Sequence, residues 1–459
     1  MEIAGINFSI IDGWFPWFVL LGSIVTIVLS VHRHHGHWKQ QLGLAFPISF
    51  VVVILLWASD KIFNIVGYAY PLTFFFWIWL AVFALCLCIL GWKHHHWVFR
   101  IISVLAILFS AVLAGVQINK NYDYYPSFTS LFGVAAANES SLPALKTIQD
   151  HVRKTGVLPS HGVTVEVTPP PTASKFQADP TFVYLPPVWF ANPQQKLPVI
   201  ELFPGIPGSS HDWINSINAD VVTNDFAAKH EGKAPILVMP DINGTNNLDT
   251  ECSDTKVSGN AQTYLTKDVP NYIVKEFNTQ ANVGAVLNGV TIPSGWATAG
   301  LSEGGTCAAM LALRYPDEYR FFADYSGDAS PVYGDGDPAT PGVDQATIAQ
   351  LYAGSKQAFY SNDPLTLLQG RFIGMGAWFA VGLQDGAEYQ NGVKELHNLA
   401  IQPSARMGSV CLDLFDGAHN FAFWKQAYID SLPWMAWRLG LTGVPATLPA
   451  SASCVPPLH

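Results

Sequence analysis

The chain has 459 residues, 50% of them hydrophobic and only 13% charged, with a formal net charge of −10 and a mean hydropathy of +0.24. That composition argues against a disordered, coiled-coil or nucleic-acid-binding polypeptide. Six Lys/Arg stand against three Asp/Glu up to Lys120, and eighteen against thirty-one after it, so two parts with different physical demands follow one another.

Four apolar stretches precede residue 120, about Trp14 to Val31, Leu42 to Ala58, Tyr70 to Gly91 and Trp97 to Ile118. Each is near the roughly 20 residues that cross a bilayer, which predicts a four-helix transmembrane domain over residues 1–120. Glu2 and Asp12 replace the basic start of a cleavable signal peptide, and further spans follow. Arg33 and Lys39 in the first connection, and Lys93 and Arg100 in the third, place those loops in the cytoplasm. The protein is then expected in the cell membrane as a multi-pass chain, with both ends and everything after Lys120 on the extracytoplasmic face. Trp14, Trp17, Trp38, Trp92 and Trp97 suit anchoring at headgroup depth.

The same loops hold His32, His34, His35, His37, His94, His95 and His96. A juxtamembrane collar is the expected reading, because no Cys or carboxylate completes a metal-ligand spacing. Cys86 and Cys88 read as packing residues inside the third span, whereas Cys252, Cys307, Cys411 and Cys454 fall in the exported part, where three disulfide pairings are open. No metal and no cofactor is expected.

Residues 121–160 form a linker in which Leu142, Leu145, Ile148 and Val152 recur at near-helical spacing. A short amphipathic helix is expected there, packed on the next domain or laid on the membrane surface. From Gly162 onward, strand-like runs at Val163–Val167, Thr181–Leu185, Val199–Phe203, Ile236–Met239, Gly295–Ala299, Phe321–Tyr325, Ala377–Val381 and Val410–Phe415 alternate with helical ones such as Tyr264–Phe277 and Gly304–Tyr315. That alternation predicts an α/β domain over residues 161–445 with a mostly parallel sheet covered on both faces, and a tail over 446–459. Asp335 and Asp337 in a turn-rich insertion, Gly334 to Val343, imitate part of a calcium loop without its full spacing.

Gly300-Leu-Ser-Glu-Gly304 supplies the chemistry. It is a G-x-S-x-G pentapeptide between a β-like run and a small-residue helix, where the glycines admit a sharp turn that lifts Ser302 above the sheet edge. A serine hydroxyl needs a base, and the base needs an acid to hold its tautomer, in the chain order Ser, Asp/Glu, His. Downstream histidines are His397, inside a helical run, His459, the last residue, and His419, in the loop after Val410–Phe415. His419 is the choice of base. Asp385, just past a strand end, is the first choice of acid, with Glu388 and then Asp416 as alternatives. An oxyanion needs two N–H donors, assigned to Glu303 and, from the loop after Val199–Phe203, to Ile206 beside Gly205. His211 and Trp213 are pocket candidates that more commonly pack in cores.

With these motifs in view, the sequence resembles the α/β-hydrolase esterase superfamily that contains esterase D, feruloyl esterase modules and the actinobacterial mycolyltransferases. The matching features are Val183-Tyr-Leu-Pro-Pro187, Phe203-Pro-Gly-Ile206, Val238-Met-Pro-Asp241, Gly300-Leu-Ser-Glu-Gly-Gly305, Gly382 to Asp385 and Gly417-Ala-His-Asn420, over about residues 160–440. The resemblance implies cofactor-free chemistry on acyl esters, with Ser302 as nucleophile, His419 as base and Asp385 as acid. The preceding membrane domain, and Glu303 after the serine, depart from secreted mycolyltransferases and look like uncharacterised actinobacterial esterases.

The expectation is therefore a membrane-anchored, extracytoplasmic serine esterase or acyltransferase acting on membrane-lipid or envelope esters through an acyl-enzyme. Mycolyl-type transfer to a sugar or lipid hydroxyl and an inert membrane scaffold are the alternatives. A transporter or metal-responsive protein built on the histidine loops is weakened by the lack of charge inside the spans.

Overall fold

A computed structural model of the chain describes residues 8–31, 38–63, 72–93, 95–132, 139–192, 194–246, 248–282, 285–287, 290–292, 294–333, 343–443 and 447–456. The chain divides into two compact units, residues 1–134 and 135–459.

The first unit is built on four apolar helices: α1 (Trp14–Ser30), α2 (Trp38–Phe63), α3 (Thr73–Gly91) and α4 (Trp97–Tyr122). Helices α2, α3 and α4 are long and apolar enough to cross a membrane, and α1 is a shorter apolar helix of 17 residues. Four spans were expected, and three reach that length. At 1.5 Å per residue α1 extends only about 25 Å, a little less than a typical hydrocarbon core. Polar side chains are turned inward: Ser23 and Ser110 hydroxyls meet at 2.8 Å between α1 and α4, and Gln41 of α2 donates to the Leu87 carbonyl of α3 at 2.8 Å. Leu21, Val28, Leu55, Ile89 and Leu108 face outward. Such an inside-out arrangement is stable only where the surroundings are apolar, so the unit supports multi-pass membrane association. Of the histidine loops, only His95 and His96 lie within the described residues, and no group able to hold a metal ion occurs among the described residues. The Gly334–Gly342 part of the insertion lies outside them.

The second unit carries a ten-stranded sheet. Its strands in chain order are β1 (Glu139–Ser140), β2 (Val163–Val167), β3 (Thr181–Leu185), β4 (Val199–Phe203), β5 (Ile236–Met239), β6 (Trp296–Leu301), β7 (Phe321–Tyr325), β8 (Gly376–Gly382), β9 (Val410–Phe415) and β10 (Ala452–Val455). Their spatial order is β1-β2-β3-β5-β4-β6-β7-β8-β9-β10. The block from β5 to β9 is parallel, with Gly300 of β6 in register with Phe203 of β4 and Asp324 of β7. Strands β3 and β10 run antiparallel to their neighbours. The eight strand runs anticipated from the sequence all occur, Val163–Val167 through its alternation of apolar and polar residues and the others as short apolar runs.

Adjacent residues on one strand face opposite sides of the sheet. Phe322 meets Phe379 at 5.4 Å on the face covered by α6 (Glu303–Arg314), where Cys307 to Leu313 are buried. Phe321 and Trp378 meet Trp434 at 5.1 and 5.7 Å on the other face. Trp434 belongs to α8 (Phe421–Arg438), which follows α7 (Ala387–Ala400) in the chain. Helix α5 (Leu142–Thr155) buries Leu145 and Val152 in the same core cluster as Val163 and Phe190, which is the packing outcome rather than a membrane-surface one. Trp213 is fully buried against Tyr428, and His211 sits edge-on to Phe182, so both are packing residues. His397 of α7 is buried beside Phe379.

Of three possible pairings, the structure contains Cys252–Cys307 and Cys411–Cys454, closing loops with sequence separations of 55 and 43. The first ties the segment after β5 to α6, and the second ties β10 to β9. Closing loops of these lengths restricts the unfolded chain by up to about 4 kcal/mol each. The variant Cys252→Ala/Cys307→Ala is expected to be less stable by about 2–4 kcal/mol, read as a lower melting temperature that no longer responds to reductant at this bond.

Candidate active site

Strand β6 is buried along its whole length and ends at Leu301. The next residue, Ser302, has φ 53° and ψ −128° and precedes the first turn of α6. A non-glycine residue rarely adopts that shape, and the surroundings have to enforce it. Here the Ser302 N–H donates to Tyr325 of β7 at 3.0 Å, and its carbonyl accepts from Gly305 at 2.8 Å. The turn is so tight that a methyl group on Gly300 would fall on the Gly304 carbonyl, and one on Gly304 would fall on the carbonyls of Phe203 and Pro204. The G-x-S-x-G spacing is therefore a steric requirement at this place.

Parallel strands deliver their following loops to one edge of the sheet. The loop after β8 brings Asp385, and the loop after β9 brings His419. The two loops are joined by backbone bonds, Leu383 N–H to Phe415 at 2.9 Å and Gln384 N–H to Gly417 at 2.9 Å. Asn420 caps α8 by accepting from the Phe423 N–H at 3.0 Å, which fixes the residue next to the histidine.

The outcome is a continuous chain of polar contacts. Ser302 Oγ lies 2.9 Å from His419 Nε2, and His419 Nδ1 lies 3.1 and 3.2 Å from the two Asp385 oxygens. The Asp385 side chain is fully buried and accepts from the Gly386 N–H at 2.7 Å. The imidazole stacks on Tyr389 at 4.0 Å and meets the edge of Trp424 at 4.8 Å. Of the three candidate acids, Asp385 contacts the histidine. Glu388 lies in the first turn of α7 with its carboxyl turned back against Gly386, and Asp416 is exposed.

Glu303 opens α6, where a helical N–H has no carbonyl one turn back to bond. The loop with Ile206 lies against the serine, since a methyl on Gly205 would stand 3.0 Å from Ser302 Cβ. Asn243 holds that loop by donating to the Gly205 carbonyl at 3.1 Å. Asn243, Tyr389 and Trp424 were not singled out from the sequence. Asn243 and Tyr389 act through contacts between distant segments, whereas Trp424, close to His419 in the chain, carried a local hint.

Carboxyl groups surround this turn. The Glu303 side chain, next to Ser302, is buried and accepts from the Glu251 N–H at 3.1 Å; Glu251 accepts from Val332 at 2.9 Å. Burial, then the nearby Asp249, holds both well above the usual carboxylate range. Burial pushes Asp328 up to about 8, with Asp324, Glu388, Asp249 and Asp385 adding to the effect. Burial likewise raises Asp324 to about 7, against the hydrogen bond that it accepts from Gly327 at 2.7 Å.

Two outcomes are expected from this environment. Gly300→Ala should destabilise the fold by about 3 kcal/mol or more and abolish reaction of the serine, measured by melting and by fluorophosphonate labelling. Asp324 keeps its proton up to about 7 in the native state but releases it near 3.8 when unfolded. Its burial therefore costs stability progressively as pH rises through that window. Asp324→Asn should flatten this dependence and gain about 2–4 kcal/mol at pH 8 relative to pH 4, read from melting curves at the two pH values.

Residues 176–435 match the family described as "Putative esterase". The chain is 29% identical over 431 residues to an uncharacterized protein of Corynebacterium glutamicum, an alignment covering 90% of this chain and 93% of that one. Among solved structures, it is similar to an S-formylglutathione hydrolase from Agrobacterium tumefaciens, with 18% identity, a TM-score of 0.47, and 62% of this chain and 98% of that one covered. A ferulic acid esterase aligns with 19% identity and a TM-score of 0.43 over 58% of this chain and 100% of its own. MPT51 of Mycobacterium tuberculosis aligns with 14% identity and a TM-score of 0.41 over 57% and 92%. The family match spans more than half of the sequence, so the chain is an ester-hydrolysing enzyme of the serine-hydrolase type and belongs to the "Putative esterase" family.

Proposed function

We propose that the protein is a membrane-anchored, extracytoplasmic serine esterase or acyltransferase acting on acyl esters of membrane lipids or the cell envelope. The observation that carries this reading is the unbroken chain from Ser302 Oγ through His419 to buried Asp385. His419 Nε2 takes the serine proton as Oγ bonds to the ester carbonyl carbon. Asp385 holds Nδ1–H and stabilises the imidazolium. The backbone N–H groups of Glu303 and Ile206 receive the oxyanion. When the carbonyl re-forms, the C–O bond to the leaving alcohol breaks and His419 returns the proton to that oxygen. Water, or a second hydroxyl, then attacks the acyl-enzyme by the same steps in reverse order and restores Ser302.

The extracytoplasmic placement is supported by Arg33, Lys39, Lys93 and Arg100 in the first and third loops of the membrane unit and by two disulfides in the second unit. Tethering raises the local concentration of lipid esters around the site, which favours them over soluble ones. Hydrolysis and transfer share every step up to the acyl-enzyme, so mycolyl-type transfer to a sugar or lipid hydroxyl differs only in which acceptor oxygen reaches the carbonyl.

The full-length protein in detergent micelles should hydrolyse p-nitrophenyl esters and take up one fluorophosphonate label per chain, located on Ser302 by mass spectrometry. Ser302→Ala should lose both, and His419→Ala should lower kcat by about a thousandfold or more. Labelling elsewhere, or turnover that persists in Ser302→Ala, would falsify the assignment.

A further inference from the structure

Asp385 has a task in ester cleavage, but the mechanism uses only the backbone of Glu303, although its side chain adjoins Ser302 and the residue is only 3% exposed. A buried carboxyl costs stability unless its oxygens are answered. Glu303 Oε1 accepts from the Glu251 N–H at 3.1 Å, and the Asn243 side chain faces the same carboxyl. Asn243 is fully buried, and its Nδ2 donates to the Gly205 carbonyl at 3.1 Å. That leaves Glu303 Oε2 and Asn243 Oδ1, two buried oxygens on neighbouring side chains, with no hydrogen supplied by another described residue. Burial, then the nearby Asp249, holds the Glu303 carboxyl well above the usual carboxylate range, so it keeps its proton at neutral pH and has one hydrogen to give. Placed between Oε2 and Oδ1, that hydrogen satisfies both atoms.

A line of polar contacts then runs from α6 to the loop after β4, from Glu303 through Asn243 to Gly205. Both ends adjoin the N–H groups assigned to the oxyanion: Glu303 carries one, and Ile206, next to Gly205, carries the other. The middle of the line is anchored separately. The Asn243 N–H donates to Asp241 at 3.0 Å, and the Ile242 carbonyl accepts from Thr250 Oγ1 at 2.8 Å. The Cys252–Cys307 disulfide joins the residue after Glu251 to the second turn of α6. Gly205 packs on the nucleophile itself, since a methyl there would stand 3.0 Å from Ser302 Cβ, so a displacement of its loop reaches the reacting centre.

Resting on the serine-esterase reading above, we propose that Glu303 is a positioning residue for the oxyanion hole: its carboxyl donates to Asn243, Asn243 donates to Gly205, and the N–H groups of Glu303 and Ile206 are thereby held at a fixed separation. The residue after the nucleophile thus acts twice, once through its backbone on the oxyanion and once through its side chain on the opposite loop. Preorganised donors lower the barrier only when they are already aimed at the place where charge develops, so loosening the line costs turnover more than substrate binding.

The test follows hydrolysis of p-nitrophenyl acetate by the full-length protein in micelles, with kcat expressed per serine titrated to completion by a fluorophosphonate, so that misfolded chains drop out. Asn243→Ala and Glu303→Leu are each expected to lower kcat by about tenfold or more, while KM moves by less than about threefold. Affinity for a trifluoromethyl ketone, whose adduct with Ser302 carries a tetrahedral oxyanion, should weaken by the same factor as kcat/KM. The double variant should lose no more than about twofold beyond the slower single one, because both changes break the same line. Glu303→Gln offers one acceptor and one donor, as the protonated acid does, and should recover turnover to within about threefold of the native chain. It should also narrow the difference in melting temperature between about pH 5 and about pH 8, because a buried acid that keeps its proton costs stability as pH rises above its unfolded value. The carboxyls that face Glu303, those of Glu251, Asp249 and Asp241, are retained in that variant. Independent, multiplying losses in the double variant, or Glu303→Gln as slow as Glu303→Leu, would overturn the line through Asn243. So would a loss confined to the number of titratable serines, which marks a structural role only. Should Glu303→Leu fail to melt cooperatively, Asn243→Ala and the Glu303→Gln melting curves still decide: undiminished kcat in the first, or an unaltered pH response in the second, rejects the proposal. A native chain with no turnover and an unlabelled Ser302 would instead sink the esterase reading itself.

Discussion

Ser302 is held at φ 53° and ψ −128° between a fully buried strand and a helix that starts on the next residue. Such a backbone costs on the order of 1–3 kcal/mol and persists only where its neighbours leave no alternative. Strand β6 has partners on both sides, and Gly300 and Gly304 are packed against backbone that has no room to retreat. The serine hydroxyl is thus fixed by the centre of the sheet rather than by a surface loop. The histidine and the aspartate need only be brought to a point already defined, and the parallel order of β6, β7, β8 and β9 brings their loops to the same edge.

The division between what was readable beforehand and what was not follows the range of the interactions. Strands such as Phe321–Tyr325 and Val410–Phe415 are short apolar runs bounded by turn residues, so local pattern suffices. Ser302 was readable for the same reason: its glycines answer to steric demands within five residues. The choice among Asp385, Glu388 and Asp416 turned on sequence order and strand ends, while contact with His419 depends on how two loops meet. The disulfide partners were open for the same physical cause. The carboxyl cluster was invisible as a group, because Asp249, Glu251, Glu303 and Asp328 come from three separate segments. The apolar run Trp14 to Val31 gave the extent of α1 to within one residue, since the helix ends at Ser30.

The surroundings of the site divide into two kinds. On the histidine side, Tyr389 and Trp424 present ring surfaces that restrict the imidazole without competing for its nitrogens. On the helix side, Glu303 and Glu251 are acidic and dry, and their protons are retained by burial. Perturbed groups gathered at one place are a common mark of function, since a fold selected for stability alone would replace them with apolar residues. Asn243 links the two demands: it holds the Gly205 loop against Ser302 and faces the Glu303 carboxyl.

Beyond β9 the sheet continues for one more strand. The short β10 runs antiparallel, with Cys454 opposite Cys411 and bonded to it. An open β9 would offer a row of unpaired N–H and C=O groups to any extended segment nearby. Anchored proteins share a plane, so they meet one another more often than freely diffusing molecules do. The border is thereby moved to a four-residue strand locked to the sheet by a covalent bond, which offers two neighbouring copies a shorter template for joining sheet to sheet than an open β9 would. Crowding at the membrane can then favour substrate encounter without favouring aggregation along this edge.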